Sequence, residues 1–251
     1  MKYASKIIII IAVVTLISCN KNTETINNDE NKYICLLNEI IVDSVKTVKY
    51  EYSNNLLSKE IEYDVNGNIS TYKTYEYDYY LTKVNVYKSD TLFEKIYCKN
   101  NNEKPVKYTF YKDNKILYYD TLIYSSDKVS YIDYYNIYNR YSTIKYTWKN
   151  NNITEQSSYF VSNNEETINQ KIEYLLYDNM YSPYTNAGIK NLNYNSVNNV
   201  LKERNIKGEN IVETNYVYEY NYLGYPTKVT ATKSTGEVQV TEYLYIYNKV
   251  F

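Results

Sequence analysis

Residues Thr71–Tyr87 read TYKTYEYDYYLTKVNVY, with a tyrosine at nearly every third position. Such a segment either displays a sticky face to a ligand or builds a sheet from a residue suited to strands. Its neighbours decide between the two. The same cadence surrounds it: an aromatic Y-x-Y segment, a polar turn rich in Asp, Asn, Ser and Lys, then an aliphatic residue that opens the next segment. It is read in YEYSNNLLSKEIEY (Tyr50–Tyr63) and IEYDVNGNISTYKTYEY (Ile61–Tyr77), then in YTFYKDNKILYYD, LIYSSDKVSYIDYY, YTWKNNNITEQSSYF and YEYNYLGYPTKVTATK. Turns recur about every 10 to 14 residues, which fits strands of about 8 residues joined by tight connections.

The turns have their own chemistry. Asn66-Gly67 suits a type I′ hairpin turn, in which both central residues take positive φ. Asn54-Asn55, Asp113-Asn114 and Asn150-Asn151-Asn152 tolerate left-handed backbone through their short polar side chains. Gly224 and Gly236 mark the last two connections, and with only three prolines little interrupts a ladder. Tyr, Val, Ile and Thr fill the segments between turns, as strands require. Alternation is present but incomplete. In VSYIDYYNIY one parity carries Val129, Tyr131, Asp133, Tyr135 and Ile137, the other Ser130, Ile132, Tyr134, Asn136 and Tyr138. A tyrosine ring packs while its hydroxyl reaches water, so a sheet with rings on both faces can curl. The expectation is an all-β fold, an antiparallel up-and-down meander curled into a soluble, barrel-like body.

The first residues give an address. Lys2 and Lys6 flank the start of an apolar run, Ile7 to Val14, which has the pattern of a secretion signal. The run is too short for a bilayer span of about 20 residues. It leads into Leu16-Ile17-Ser18-Cys19, which resembles the bacterial lipobox, so Cys19 is expected to be lipidated. The domain reading is residues 1–18 a lipoprotein signal peptide, 19–32 a lipidated flexible tether, and 33–251 a single all-β domain. The tether, NKNTETINNDENK, has too little apolar surface to offset the entropy of ordering. Acyl chains contribute about 0.8 kcal/mol per buried methylene, which makes the lipid bilayer the first expected partner. The expected place is the cell envelope, as an outer-membrane-anchored lipoprotein, with its periplasmic or surface orientation left open.

Composition excludes much chemistry. The chain has no histidine, which removes Ser-His-Asp and Cys-His nucleophile systems, histidine zinc sites and imidazole switches. Net charge is −1 and becomes −3 without Lys2 and Lys6, and no basic block exists to neutralise phosphates. Nucleic acid is therefore not an expected partner. DVNGN, Asp64 to Asn68, opens like a calcium loop but has glycine fourth rather than sixth and lacks the later bidentate glutamate, so it reads as a turn. No metal site and no cofactor are expected. Cys35 and Cys98 form either a disulfide or two small buried hydrophobes.

Lys46, Glu60, Lys73, Glu94, Lys107, Lys145, Gln170 and Glu242 fall mid-strand on mixed parity. At a bilayer midplane each lysine would cost about 2–4 kcal/mol, so the barrel is expected to be tethered rather than embedded. The stretch from Met180 to Val200 breaks the rhythm with Pro183, Gly188 and many asparagines. Long loops in compact domains often carry function, so Asp178, Tyr181, Pro183 and Tyr184 form the candidate binding loop. Glu165-Glu166, Glu173 and Asp178 are the carboxylates a glycosidase pair would draw on, but each reads first as a solvated face or turn cap.

Two resemblances follow from these segments. YDVNGNIS, Tyr63 to Ser70, resembles the tyrosine-aspartate repeats of secreted bacterial Rhs and teneurin-like shells. The C-terminal third, with YLLYDNMYSPYTNAGI, NNVLKE and YVYEYNYLGYPTKVTAT, resembles an uncharacterised Bacteroidetes-type lipoprotein family described as porin-like in fold. The matching positions are Tyr177-Asp178, Pro183, Tyr216, Tyr218, Tyr220 and Gly224-Tyr225-Pro226-Thr227-Lys228-Val229. This resemblance implies a porin-like barrel on a lipid tether and implies no activity. The functional expectation is a non-catalytic envelope module whose exposed rings bind a glycan or an envelope protein. The alternatives are a purely structural envelope component and a carboxylate-dependent glycoside hydrolase.

Overall fold

The computed structural model describes residues 33–101, 104–185 and 196–249. Along the chain the first strands are β1 (Tyr33–Val42), β2 (Val45–Ser53), β3 (Leu56–Tyr63) and β4 (Ile69–Asp78). Next come β5 (Tyr80–Lys88), β6 (Thr91–Asn101), β7 (Lys104–Lys112) and β8 (Lys115–Ser125). They are followed by β9 (Lys128–Asn136), β10 (Arg140–Lys149), β11 (Asn152–Ser162) and β12 (Glu165–Tyr181). The last are β13 (Asn198–Lys207), β14 (Asn210–Tyr220), β15 (Pro226–Lys233) and β16 (Val238–Lys249). Each strand pairs antiparallel with its sequence neighbours, and β1 pairs with β16 from Tyr33↔Lys249 to Val42↔Thr241 to close the barrel. Closure removes the two sheet edges that an open meander would leave unpaired. Most strands are longer than the repeat predicts, and β12 reaches 17 residues.

Two kinds of connection recur. Asp43-Ser44, Asn54-Asn55, Ser89-Asp90, Asp113-Asn114, Asn150-Asn151 and Asn163-Asn164 all place two consecutive residues at positive φ, as in 52° and 62° for Asn54 and Asn55. This type I′ geometry matches the right-handed twist of the flanking strands, and Asn and Asp bear it at small steric cost. The turn expected at Asn66-Gly67 is different: only Gly67 is left-handed, at 78°. The cause is Asp64, whose Oδ1 accepts the backbone N–H groups of Asn66 and Asn68, both at 2.9 Å. A five-residue loop closed by one carboxylate needs a single left-handed residue. Asn221 repeats the device, with Oδ1 accepting from Leu223 and Tyr225 at 3.0 Å and Gly224 at 81°.

Bulges explain why alternation looked imperfect. Register slips at Glu51/Tyr52, Glu76/Tyr77, Lys99/Asn100, Ile123/Tyr124 and Thr147/Trp148. Each slip inserts one residue and reverses the parity beyond it. Val129 and Ile132 are therefore both buried, although they stand on opposite parities in the sequence. The polar group at the bulge reaches back to a carbonyl on the preceding strand. Tyr77 donates to Leu57 O at 2.9 Å, Asn100 to Leu81 O at 3.0 Å, Tyr124 to Pro105 O at 2.8 Å and Trp148 to Val129 O at 2.8 Å. Tyr177 completes the series on Ile153 O. The acceptors recur every 24 residues, so the repeating unit is two strands with their two turns.

The faces differ sharply. Leu37, Leu57, Leu81, Val84, Ile96, Phe110, Leu122, Val129 and Ile132 pack inside as one cluster, each aliphatic side chain contributing about 1.5–3 kcal/mol on burial. The outer face is charged. Lys83 pairs with Glu76 at 2.8 Å, Lys171 bridges Glu155 and Glu173 at 2.9 and 3.0 Å, and Lys202 pairs with Glu213 at 2.7 Å. Outer rings pair across strands: Tyr72 stacks on Tyr87 at 4.6 Å and Tyr119 on Tyr135 at 4.7 Å. Lys59 and Lys107 lie over Tyr72 and Tyr119 at 4.5 and 3.8 Å. In the opening stretch, then, Tyr72 and Tyr87 clothe the outside while Tyr75 and Tyr77 face the core.

Candidate functional site

Three groups of inward-facing titratable side chains stand on the barrel wall. The first joins β3 and β4. Lys73 Nζ donates to Glu60 at 2.6 Å and Glu62 at 2.9 Å, and the Tyr75 hydroxyl donates to Glu60 at 3.1 Å. Lys73 and Glu60 side chains are 4% and 7% exposed. Burial holds the Glu60 carboxyl above its usual range in spite of the Lys73 charge. Glu62 also meets a burial penalty, but Lys73 and Thr71 outweigh it and pull the carboxyl down. Burial works against the Lys73 charge too, and its two carboxylates keep the ammonium above its usual range.

The second place lies on β6, β8 and β10. Glu94 accepts the Tyr118 hydroxyl at 3.1 Å, and burial raises its carboxyl. Asp120 is 5% exposed, and burial, reinforced by the Glu94 charge, pushes its carboxyl up to about 8. The third is Glu203 on β13, raised by burial while the Tyr216 hydroxyl of β14 bonds to it. Between these groups stand tyrosines that turn inward yet remain only half-buried: Tyr118, Tyr134, Tyr141, Tyr174, Tyr216 and Tyr243. The lumen is therefore lined by phenol rings and carboxylic acids, with solvent reaching the rings. Such a surface offers flat apolar faces and hydrogen-bond acceptors together.

The residues expected to form a binding loop have definite places. Strand β12 continues to Tyr181 and β13 begins at Asn198, so the connection is shorter than the sequence rhythm indicates; residues 186–195 lie outside the described set. Asp178 fastens its stem. Its Oδ1 accepts Met180 N and Asn199 N at 3.0 Å each, and its Oδ2 accepts Asn199 Nδ2 at 3.0 Å and the Tyr220 hydroxyl. Both oxygens are occupied by the protein itself. Tyr181 stacks on Tyr225 at 5.2 Å and Pro183 is buried. Tyr184 enters the barrel and packs on the core cluster, beside Tyr50, Tyr243 and Tyr245, whose hydroxyls burial raises and Tyr184 raises further. Burial pushes its own hydroxyl up to about 12. Of the four, Tyr184 alone joins the lumen wall.

Other sequence candidates are occupied elsewhere. Glu166 holds Lys145 and Arg140, at 2.5 and 3.2 Å, and Glu173 holds Lys171 and Arg204 on the outer face. Cys35 on β1 and Cys98 on β6 are free. They stand five strands apart on the wall, against the roughly 4.4–6.8 Å between Cα atoms that a disulfide requires. Their separation leaves Cys35 as a small buried side chain and Cys98 as a half-buried one, and burial pushes their thiols up to about 11 and about 12. Cys19 lies outside the described residues. Glu60, Lys73, Glu94 and Gln170 of the mid-strand polar set turn inward, whereas Lys46, Lys107, Lys145 and Glu242 turn outward. Asp120 and Glu203 were not singled out in the sequence. Their signal would have been a carboxylate on the same parity as core residues, once the bulges are placed.

No family model matches the sequence, and no curated protein matches it. Among solved structures the chain is similar to a porin-like protein from Bacteroides vulgatus ATCC 8482. The TM-score is 0.53 at 11% identity, covering 83% of this chain and 98% of that one. It is likewise similar to a porin-like protein from Bacteroides uniformis ATCC 8492, with TM-score 0.50 and 11% identity over 84% of this chain and 96% of the other. At this identity the likeness establishes the shared barrel fold.

Proposed function

We propose that the protein is an envelope lipoprotein, anchored through Cys19, whose barrel stands clear of the bilayer and binds a glycan inside its lumen. The fold shared with porin-like proteins of Bacteroides supports an envelope setting. The outer-face charges support a barrel surrounded by water, since lipid-facing lysines would each cost about 2–4 kcal/mol. One observation carries the binding reading: half-buried tyrosine rings and interior carboxyl groups share the lumen wall. Rings offer flat faces to sugar rings, and carboxyl groups accept from sugar hydroxyls. A protein interface on the outer rings is less well supported, because those rings already pair with one another and with lysines.

No catalytic step is part of this reading. Glycan-array screening of the full-length protein tests it. Saturable binding that weakens at least tenfold in Tyr174→Ala and Tyr216→Ala, with folding retained, is the expected result. A folded protein that binds no glycan on the array overturns the reading and leaves a structural envelope component.

A further inference from the structure

Among the described residues, Asp120 is the one buried carboxylic acid with an oxygen that lacks a hydrogen-bond partner. Its Oδ1 finds no hydrogen-bond partner among the described residues, although the residue is 5% exposed. A buried acceptor left without a donor bears the full desolvation of that oxygen. The elements around it do not supply what is missing. Across β7 it faces Tyr108 and across β9 Tyr134, while Tyr118 and Tyr141 flank it on β8 and β10. The charged group that bears on it is Glu94, an acid like itself. The lysines nearest Glu94, Lys88 and Lys112, lie over the Phe93 ring at 4.3 and 4.4 Å. The wall thus presents two acids among phenol rings: Glu94, on which the charges of Lys88 and Lys112 bear, and Asp120, which has an unused oxygen and no cation acting on it.

The complement of such a wall is a positive charge carrying several N–H donors. A primary ammonium has three donors and no acceptor, and it is attracted to the faces of aromatic rings. We infer that the β6–β8–β10 wall is a subsite for a primary ammonium, with Asp120 Oδ1 and Glu94 as its acceptors and the Tyr118, Tyr134 and Tyr141 rings around it. The inference rests on the lumen reading above, and it narrows the ligand to a glycan containing unacetylated amino sugar. Burial raises both acids, and an arriving ammonium favours their charged forms, so ligand and ionisation support each other.

Calorimetry on the full-length protein at pH 6.5 separates the two levels of the claim. The probes are a glucosamine tetrasaccharide and its N-acetylated counterpart. The expected result is at least tenfold tighter binding of the free-amine form, with that preference lost in Asp120→Asn and reduced in Glu94→Gln. Melting curves of both variants check that they fold. Equal binding of the two sugars, or a preference unchanged in both folded variants, overturns the ammonium subsite and leaves the lumen reading in place. Binding of neither sugar overturns the subsite, and the glycan array then decides separately whether the lumen reading survives.

Discussion

Lys73 shows how a single residue is held by competing terms. Its ammonium lies between Glu60 and Glu62 inside the barrel, where removing one partner strands the other's charge. Lys73→Met is expected to lower unfolding free energy by about 3–5 kcal/mol, read by urea denaturation. Converting Glu60 to Leu in the same chain should restore much of that loss, because an apolar pair needs no desolvation of charge. Asp120 makes a prediction of pH. Its folded carboxyl titrates at about 8 against an ordinary 3.8, so between those values the native state holds a proton that the unfolded chain has released. Stability from this group is present near pH 4 and is lost as pH rises towards 8, at up to about 1.4 kcal/mol per pH unit. Glu60, Glu94 and Glu203 act in the same sense and Glu62 in the opposite one. Unfolding measured from pH 4 to 8 should flatten in Asp120→Asn. A slope unchanged by that substitution would show that Asp120 titrates normally.

At the scale of elements, the hairpin is the unit, and two local devices set it. The first is the left-handed residue pair. Asn55, at φ 62°, replaced by Val places a β-branched side chain where it costs roughly 1–2 kcal/mol, while Asn55→Gly should leave the midpoint of unfolding unchanged or raised. The second is the polar side chain at each of these bulges, an aromatic one except at Asn100. Tyr124→Phe removes only the bond to Pro105 O and is expected to cost about 1 kcal/mol, read as a lower denaturation midpoint. The tight Asn and Asp pairs were legible because their side chains state the backbone they tolerate. The turn at Asn66-Gly67 was misread because the decisive acceptor, Asp64, stands two residues upstream of the pair. The β12–β13 connection was legible as a break in rhythm, but not in extent, since its polar stem residues pair as strand ends through Asp178 and Asn199.

For the whole molecule, closure and polarity are the deciding properties. The barrel packs an apolar cluster within, together with the buried pairs of Lys73, and carries many ion pairs without, a costly pattern for a lipid-facing wall. Cys19→Ser should therefore shift the protein from the detergent to the aqueous phase in a cloud-point partition. Retention of that variant in the detergent phase would place the strands in lipid. The candidate site belongs to this scale as well. Glu94 and Asp120 are 26 positions apart on strands separated by β7, and the charge of one bears on the other only because the wall turns both to its inner face.

The sequence by itself determined the strand class, the repeating cadence, the tight turns and the absence of histidine chemistry, because each of these is written in residue type and short-range spacing. Tertiary structure decided which tyrosines face inward, how many strands close the wall and which acids share the lumen. The physical reason is that every bulge reverses parity, and tyrosine is content on either face. Only the paired register, fixed by neighbouring strands and by closure of β1 on β16, assigns each ring and each carboxyl group to one side.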